Sequence, residues 1–553
     1  MIITILDAMG IQDYIFGSNK LKDNIGASEL VYMALNCLPI EVLQTKFPGR
    51  VNPSSGYQPD VSCSIINDNG KFDAELFYAG GGTTVVFFAD DTFAKKFALA
   101  YSIRLLEDAP GLHVECIHHK MGKDLATALE DAFIALAKRK SAHNASAPLL
   151  GLGVTLPCPI TKGTANRSDY NSKDDLISDE IAAKRSDAIL QRARDRFNSL
   201  FPAVKAPVKI SDNKTVGPFC MPKDFDDLGR THGETSYIGV VHIDGNGMAG
   251  KIAAVTDKYR DPLKNYEYRK KMYDLSKEIE GVGESTLKMA IGWLLNSLAS
   301  SDKNGECFFA HSVKLEKAKD EEGYNLPIRF LVYGGDDITF VCDGRLAVDI
   351  AAFMLKTFQE QKDGYHACAG VAIVKSHYPF ARAYKMAEEL CRHAKQFVKD
   401  KYNSGDASAI DWHITAGGIQ SPIKNLRKKE YETVSGESLT LRPYIIPQNG
   451  LTIPTGHNWQ WFRNEILDPL INPKDDWVSH RSKLNELATF IREGKETLKE
   501  KLEKLKVKGL LLPPIGSEWS KQGFYGDGTP YLDALELLDM APHSPYWTKK
   551  GGE

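Results

Sequence analysis

No CxxC pair occurs among the nine cysteines, which are dispersed from Cys37 to Cys391. That absence excludes a zinc ribbon and a disulfide scaffold, and it is the cysteine usage expected of a reducing, cytoplasmic compartment. A surplus of either charge is also missing. The 69 Lys and Arg against 72 Asp and Glu leave a net charge of −3, so nothing points to bulk nucleic-acid binding through a globally basic surface. No apolar run approaches the roughly 18 residues of a membrane span, and no membrane partner is expected. The opening MIITILDAMG lacks a basic residue ahead of its apolar stretch and reads as a strand, not a signal peptide. Histidines are scattered. The adjacent pair His118 and His119 would face opposite sides of a strand, which argues against a shared metal.

What is present is a 553-residue chain, 42% hydrophobic and 25% charged, too long for one core and expected to form about two to four domains. One stretch stands out: VYGGDDITFV, Val332 to Val341. Two β-prone runs flank Gly334, Gly335, Asp336 and Asp337, the pattern of a hairpin whose corner carries two carboxylates. Read for organisation, residues 1–140 give the order β-α-β-β-α-β-α. Residues 141–234 are irregular, a linker module with a helix expected from Ser178 to Leu200. Residues 235–418 repeat the first order around the GGDD corner. Residues 419–553 become helical, with Leu484, Leu487, Ile491, Leu498, Leu502 and Leu505 tracing one apolar face.

The two halves match at ordered points. Asp7 to Gly10 corresponds to Asp244 to Gly247 at an offset of 237, Gly81 to Thr84 to Gly334 to Asp337 at 253, His113 to His366 at 253, and Ala137-Lys138 to Ala394-Lys395 at 257. Rising offsets are what insertions between equivalent elements produce, so the chain carries two copies of one fold. On this alignment Thr83 and Thr84 stand where the second copy has Asp336 and Asp337. Hydroxyls are poor replacements for carboxylate ligands, so the first copy is expected to lack a metal site.

Folded as an antiparallel sheet with helices, a ferredoxin-like palm, the second copy brings Asp244 beside Asp336 and Asp337. Three neighbouring carboxylates repel one another, and a pair of Mg²⁺ or Mn²⁺ ions relieves this. Two such ions suit in-line displacement on the α-phosphate of a nucleoside triphosphate. Asp244, Asp336 and Asp337 are therefore the candidate catalytic residues and, with the backbone of Gly245, the candidate metal ligands. Gly245, Asn246 and Gly247 expose backbone groups to metal or phosphate. Gly334 and Gly335 leave room for a nucleotide, Lys395 is a point charge for the triphosphate, and Lys375 is a second candidate of that kind. Asp343 and Asp411 read as a turn and a strand-end residue.

GIQDYIFGSNKLKDNIGASEL, HIDGNGMAGKI, VYGGDDITF, ARAYKMAEELCRHAKQF with SAIDWH, and LTLRPY together resemble the large polymerase/cyclase subunit of type III CRISPR effector complexes. That family lies within the wider group of palm-type polymerases and nucleotidyl cyclases. The resemblance implies an α+β chain with a degenerate and an active palm, a remnant inter-palm module and a C-terminal helical domain. It implies conversion of ATP to cyclic oligoadenylate in antiviral defence, with the metals held by the matching Asp244, Asp336 and Asp337. It also implies effector-complex subunits, target RNA as activator and a downstream cyclic-nucleotide sensor as partners. Two departures accompany it. The sequence has no His-Asp dipeptide, so no HD nuclease is expected, and the region LPCPITKGTANRSDYN keeps only Cys158 of a four-cysteine zinc module. The other readings are a scaffold subunit that binds guide RNA and partner subunits, and a freestanding cyclic dinucleotide synthase.

Overall fold

The computed structural model describes residues 1–66, 70–142, 153–169, 172–211, 214–228, 236–300, 306–319, 322–402, 405–415, 422–472, 475–526 and 528–542. The boundaries expected near 234 and 418 lie outside the described residues. The chain is mixed α+β and divides into two units, Met1–Leu200 with Gly247–Gly281, and Phe201–Asn246 with Val282–Glu553.

In the first unit β1 (Ile2–Met9), β2 (Ala74–Gly80), β3 (Thr83–Phe88) and β4 (His113–Lys120) form a sheet in the order β2-β3-β1-β4, with Val51–Asn52 beside β2. β1 pairs antiparallel with both neighbours. Helix α1 (Asp91–Asp108) is capped by Asp90, whose side chain accepts from the Phe93 N–H, meeting one of the unpaired donors at a helix start. Helix α2 (Leu125–Ala142) presents Leu125, Leu129 and Leu136 to Ile3, Ile5, Val85 and Phe87, which together form the core on one face of the sheet.

Leu21–Lys46 runs on as helix through a π turn at Met33–Cys37. By length and composition it is the one helix among the described residues that would cross a membrane, but 78% of its apolar window is buried in the protein, as in a core helix. The helix expected over Ser178–Leu200 is two, Asp179–Lys184 and Asp187–Leu200. The break turns cations inward: the Lys184 ammonium donates to the Tyr14 carbonyl at 2.7 Å, and Arg185 donates to Asp23 at 2.6 Å and also reaches Asp169. Satisfying these buried charges outweighs one more helical turn.

In the second unit β5 (Tyr237–Gly245), β6 (Ile328–Gly334), β7 (Asp337–Asp343), β8 (Ala367–Lys375), β9 (Ser408–Thr415) and β10 (Tyr444–Ile446) form one sheet in the order β6-β7-β5-β8-β9-β10. All neighbours are antiparallel except β8 and β9. β10 comes from the stretch after residue 419, so that stretch contributes the sheet's edge. Helix α3 (Asn265–Asn296) has its residues from Val282 in this unit. Helices α4 (Ala347–Gln361) and α5 (Phe380–Tyr402) cover opposite faces: Gly239 on β5 meets Ala347 of α4, and His242 on the other face meets Tyr384 of α5. The apolar run Leu484 to Leu505 is likewise two helices, α6 (Arg481–Glu493) and α7 (Lys495–Val507), parted at Gly494 with φ 105°. A left-handed φ ends a helix, and glycine adopts it without strain. All six apolar residues of that run are buried.

Candidate functional site

The GGDD corner is a two-residue hairpin loop. Gly334 pairs with Asp337, and between them Gly335 takes φ 65°, the left-handed angle that a tight hairpin asks of its first loop residue. The corner rests on α3, where a β-carbon at Gly283 would lie 2.0 Å from the Gly335 carbonyl oxygen; only glycine permits that approach. Gly334 is exposed, and a β-carbon there would meet nothing within 4 Å, so the space over the corner is open.

On β5, Asp244 lies directly opposite Asp337, which puts both side chains on one face at about 4.5–5.5 Å between β-carbons. The Gly245 N–H donates to the Asp336 carbonyl at 3.2 Å, tying the corner to the end of β5. The three carboxylates predicted to meet are thus brought to one end of the sheet. Lys395 of α5 joins them: its ammonium donates to Asp244 Oδ2 at 2.6 Å and to the Gly245 carbonyl at 2.7 Å. The helix sits this close because of Gly370 on β8, where a β-carbon would fall 1.9 Å from the Ala387 carbonyl oxygen.

Electrostatics follow from the crowding. Burial, with the Asp244 charge adding to it and Lys395 opposing, raises the Asp336 carboxyl above its usual range. Asp337 is pushed up to about 7 by desolvation and by Asp244 and Asp336. Its side chain remains 51% exposed, so the carboxylate stays reachable from solvent.

A set of residues that the sequence did not single out surrounds Asp337. The Nδ1 of His242, two residues before Asp244 on the same strand face, lies 3.5 Å from Asp337 Oδ1 and 3.2 Å from Thr339 Oγ1. The Tyr384 ring packs on the His242 ring at 5.7 Å. Burial lowers the His242 pKa, with Asp244 and Glu388 partly offsetting it; burial and the Asp337 charge raise the Tyr384 phenol. Tyr384, Glu388, Cys391 and Lys395 form one stripe of α5 at helical spacing. That spacing, counted back from Lys395, and the period of two, counted back from Asp244, were the signals available for finding them.

The remaining candidates fall in different places. The Asn246 amide donates to the Ala407 carbonyl at 2.9 Å and the Gly405 carbonyl at 3.3 Å, fastening the loop after β5. Gly247 begins the second segment of the first unit and caps the helix Met248–Lys258 with φ 69°. Lys375 is not brought to the carboxylates. It pairs with Tyr237, seven residues along the strands from the Asp244–Cys368 pair, about 23 Å away at the rise of a strand. Asp343 closes β7 and pairs with Arg345 at 2.8 Å. Asp411 is not a strand-end residue: fully buried within β9, it binds Arg427 at 2.6 Å and His393 at 2.8 Å.

For a divalent ion the donor chemistry fits: three carboxylates and the Gly245 carbonyl are hard oxygen ligands. Their spacing is not yet that of a metal shell. Among the described residues no three His, Cys, Asp or Glu side chains gather closely enough to hold an ion, and Asp244 is engaged by Lys395.

Compared with solved structures, the chain aligns over 98% of its length with 69% of a chain in the Csm1-Csm4 cassette in complex with pppApA, at 11% identity and a TM-score of 0.50. The two share a fold. The cassette in complex with one ATP, and the Csm1-Csm4 subcomplex of the type III-A CRISPR-Csm interference complex, align over 98% of this chain and 70% and 69% of theirs, each at 12% identity and a TM-score of 0.49. No protein-family model and no curated protein matches the sequence.

Within this Csm1-Csm4-like fold the first unit repeats the frame of the second, and the strand register corrects the alignment of the copies. Asp7 opposes Thr83 as Asp244 opposes Asp337, and the Ala8 N–H donates to the Gly82 carbonyl at 3.1 Å as Gly245 does to Asp336. The residues in place of Asp336 and Asp337 are therefore Gly82 and Thr83, not Thr83 and Thr84. Thr84 points to the other face and donates to the Leu35 carbonyl. The counterpart of Lys395 is Lys140, not Lys138, since its ammonium pairs with Asp7 at 2.8 Å.

Proposed function

We propose that the chain is a metal-dependent nucleotidyltransferase that converts ATP to cyclic oligoadenylate in type III CRISPR-like antiviral defence. The observation that carries this reading is the pairing of Asp244 with Asp337 across β5 and β7, with Asp336 at the adjoining corner. The frame's likeness to the Csm1-Csm4 cassette, a complex solved with pppApA, supports it. In this reading each four-strand frame is a palm, the first degenerate and the second active, with a linker module between them and a helical region after residue 419.

Asp244, Asp336, Asp337 and the Gly245 carbonyl would hold two Mg²⁺ or Mn²⁺ ions. When bound, such ions supply charge that stabilises the attacking and departing oxygens of phosphoryl displacement. The chain's own residues do the rest. Gly334 and Gly335 keep the corner bare so that a nucleotide lies against backbone, and Asn246 holds the loop beside Asp244 rigid. Lys395 supplies a cation to the triphosphate. A ribose hydroxyl of one nucleotide attacks the α-phosphorus of another, the bond to pyrophosphate breaks, and no covalent enzyme intermediate is needed; the rate derives from positioning and charge. The partners of this reading are subunits of a guide-RNA effector complex, target RNA as activator and a cyclic-nucleotide-sensing effector, in the cytoplasm.

The test is incubation of the full chain with each NTP and Mg²⁺ or Mn²⁺, with products identified by mass spectrometry, alone and with target-RNA-loaded effector subunits. Cyclic oligoadenylate from ATP is expected. No product from any nucleotide, with bound metal verified, sinks the reading.

A further inference from the structure

The oxygens best placed to take a cation already have one. Lys395 Nζ lies 2.6 Å from Asp244 Oδ2 and 2.7 Å from the Gly245 carbonyl oxygen, and both of those oxygens belong to the candidate metal ligands. An ammonium is a compact donor of three N–H groups with no acceptor capacity. A hard divalent ion draws its oxygens in to about 2.0–2.6 Å, so an ion on these two oxygens would stand within about 4 Å of the ammonium, and two positive charges that close repel. The spacing of the acids agrees. With Lys395 engaged, no three acidic or other ligating side chains among the described residues gather into a shell.

The first unit supplies a second, independent view of the same device. Lys140 pairs with Asp7 at 2.8 Å from the equivalent helix to the equivalent strand, where Gly82 and Thr83 replace the other two acids. The lysine–aspartate pair therefore belongs to the frame itself and forms without the two corner acids; the nearby Glu115, opposite Asp7, is held by Arg139 at 2.8 Å. In the second unit the pair is also exchangeable. The Lys395 and Asp244 side chains are 29% and 42% exposed, so water and salt screen their attraction.

We propose that Lys395 is the resident counter-ion of the candidate metal site: it neutralises Asp244 in the metal-free protein and must leave Asp244 and the Gly245 carbonyl before a divalent ion takes them. The inference rests on the metal-dependent reading above and adds an order to it. Metal loading competes with the lysine, and the ammonium it releases is freed at the same end of the sheet where a triphosphate would need it. Binding of metal and of nucleotide then favour each other through one side chain, and by linkage each strengthens the other by the same factor.

Mn²⁺ titration of the full chain, with free ion followed by electron paramagnetic resonance, tests this without any turnover. Lys395→Met is expected to bind Mn²⁺ about three- to tenfold more tightly than wild type. Lys395→Gln, neutral and polar, is expected to do the same and guards against a packing defect of the methionine. Arg392→Met removes an equal charge one helical turn earlier without touching Asp244, and should stay within about twofold of wild type. Unchanged or weaker binding in both Lys395 variants overturns the proposal, as does equal tightening in Arg392→Met, which would make the effect one of net charge. Mn²⁺ binding by none of the four proteins overturns the metal reading itself, so the two failures are distinguishable.

Discussion

The two sheets of this chain share a skeleton and differ in what fills one face of it. In the second, Asp244, Asp337, His242 and Thr339 on the strands face Tyr384, Glu388 and Lys395 on α5. At the matching positions the first has Asp7, Thr83, Ile5 and Val85 on the strands and Leu129, Phe133 and Lys140 on α2, with Ile5, Val85, Leu129 and Leu136 in one apolar core and Phe133 exposed. The lysine–aspartate pair survives in both, while the polar lining survives in one. A frame that keeps its ion pair and buries Ile5, Val85 and Leu129 where the other has polar groups gains core burial at about 25 cal/mol per Å². A frame that keeps three partly exposed acids gives that up for a charged site. The difference separates the residues the frame needs to fold from those the proposed chemistry needs.

The largest expected effect breaks the comparison directly. Replacing Asp336 and Asp337 together by Asn should lower product formation by about a thousandfold or more with the fold intact. Asp7→Asn in the first unit should change it by no more than about twofold, since that side chain is part of a partly exposed pair. Comparable losses from both would mean that the first unit holds chemistry of its own.

Acid should separate the units next. His413 on β9 is 2% exposed, and burial with the nearby Arg442 and Arg427 charges lowers its pKa from 6.5 to about 4. The unfolded chain therefore takes up a proton near 6.5 that the folded chain refuses until about 4. Its contribution to stability is complete above 6.5 and is lost as pH falls towards 4, about 3 kcal/mol in all. Asp533, held at about 6 by desolvation against the pull of Arg442, acts in the opposite sense over part of that window. The slope is accordingly read as wild type minus His413→Asn. The six tryptophans among the described residues lie in the second unit and the first unit's segments contain none, so denaturant unfolding followed by tryptophan fluorescence reports the second unit. Parallel pH profiles for the two proteins would remove His413 as the cause.

Close helix packing comes third. Gly370 lies opposite His242, and its counterpart opposite Ile5 is Ile117. An alanine at 370 would place its β-carbon 1.9 Å from the Ala387 carbonyl oxygen and 2.4 Å from the Cys391 nitrogen, both backbone atoms that move only with the helix. Gly370→Ala should destabilise the second unit by about 2 kcal/mol, and lifting α5 should lower activity with it. Full activity at reduced stability would detach α5 from the chemistry.

Much of this was legible in the letters. Flanking β-runs and a glycine pair marked the corner, and ordered matches revealed two copies, because hairpin loops and helix starts have strong local signatures. The register was not. Letter identity aligned Thr83-Thr84 with the acids, whereas pairing with β1 decides which residues stand opposite Asp7, and a one-residue slip sends a side chain to the other face. Helix phase defeated the match of Lys138 for the same reason, since two residues along a helix is more than half a turn and only Lys140 comes round to Asp7. His242 was hidden by its neighbours: inside YIGVVHIDG it reads as one polar letter in a buried strand. Lys375 was misplaced because adjacency to a strand end does not say which end of the sheet it is.

The smallest expected effect sharpens the comparison most. His242→Ile, Thr339→Val and Tyr384→Phe made together strip the polar lining of the second recess, the first two installing the residues the first unit has there. Alone, Thr339→Val should cost about 1–2 kcal/mol, because it removes the hydroxyl 3.2 Å from the buried His242 nitrogen and leaves that nitrogen only the longer approach to Asp337 at 3.5 Å. Together the three should cost less than about 1 kcal/mol, since the polar partner left behind, Asp337, is 51% exposed and keeps water, and the first unit shows that the frame accepts such residues. Activity should nonetheless fall about tenfold, because Asp337 loses the ring that lies 3.5 Å from its carboxylate and with it a fixed orientation. A triple variant that unfolds would make the lining part of the core after all. One that keeps full activity would leave the three acids and Lys395 as the whole of the site.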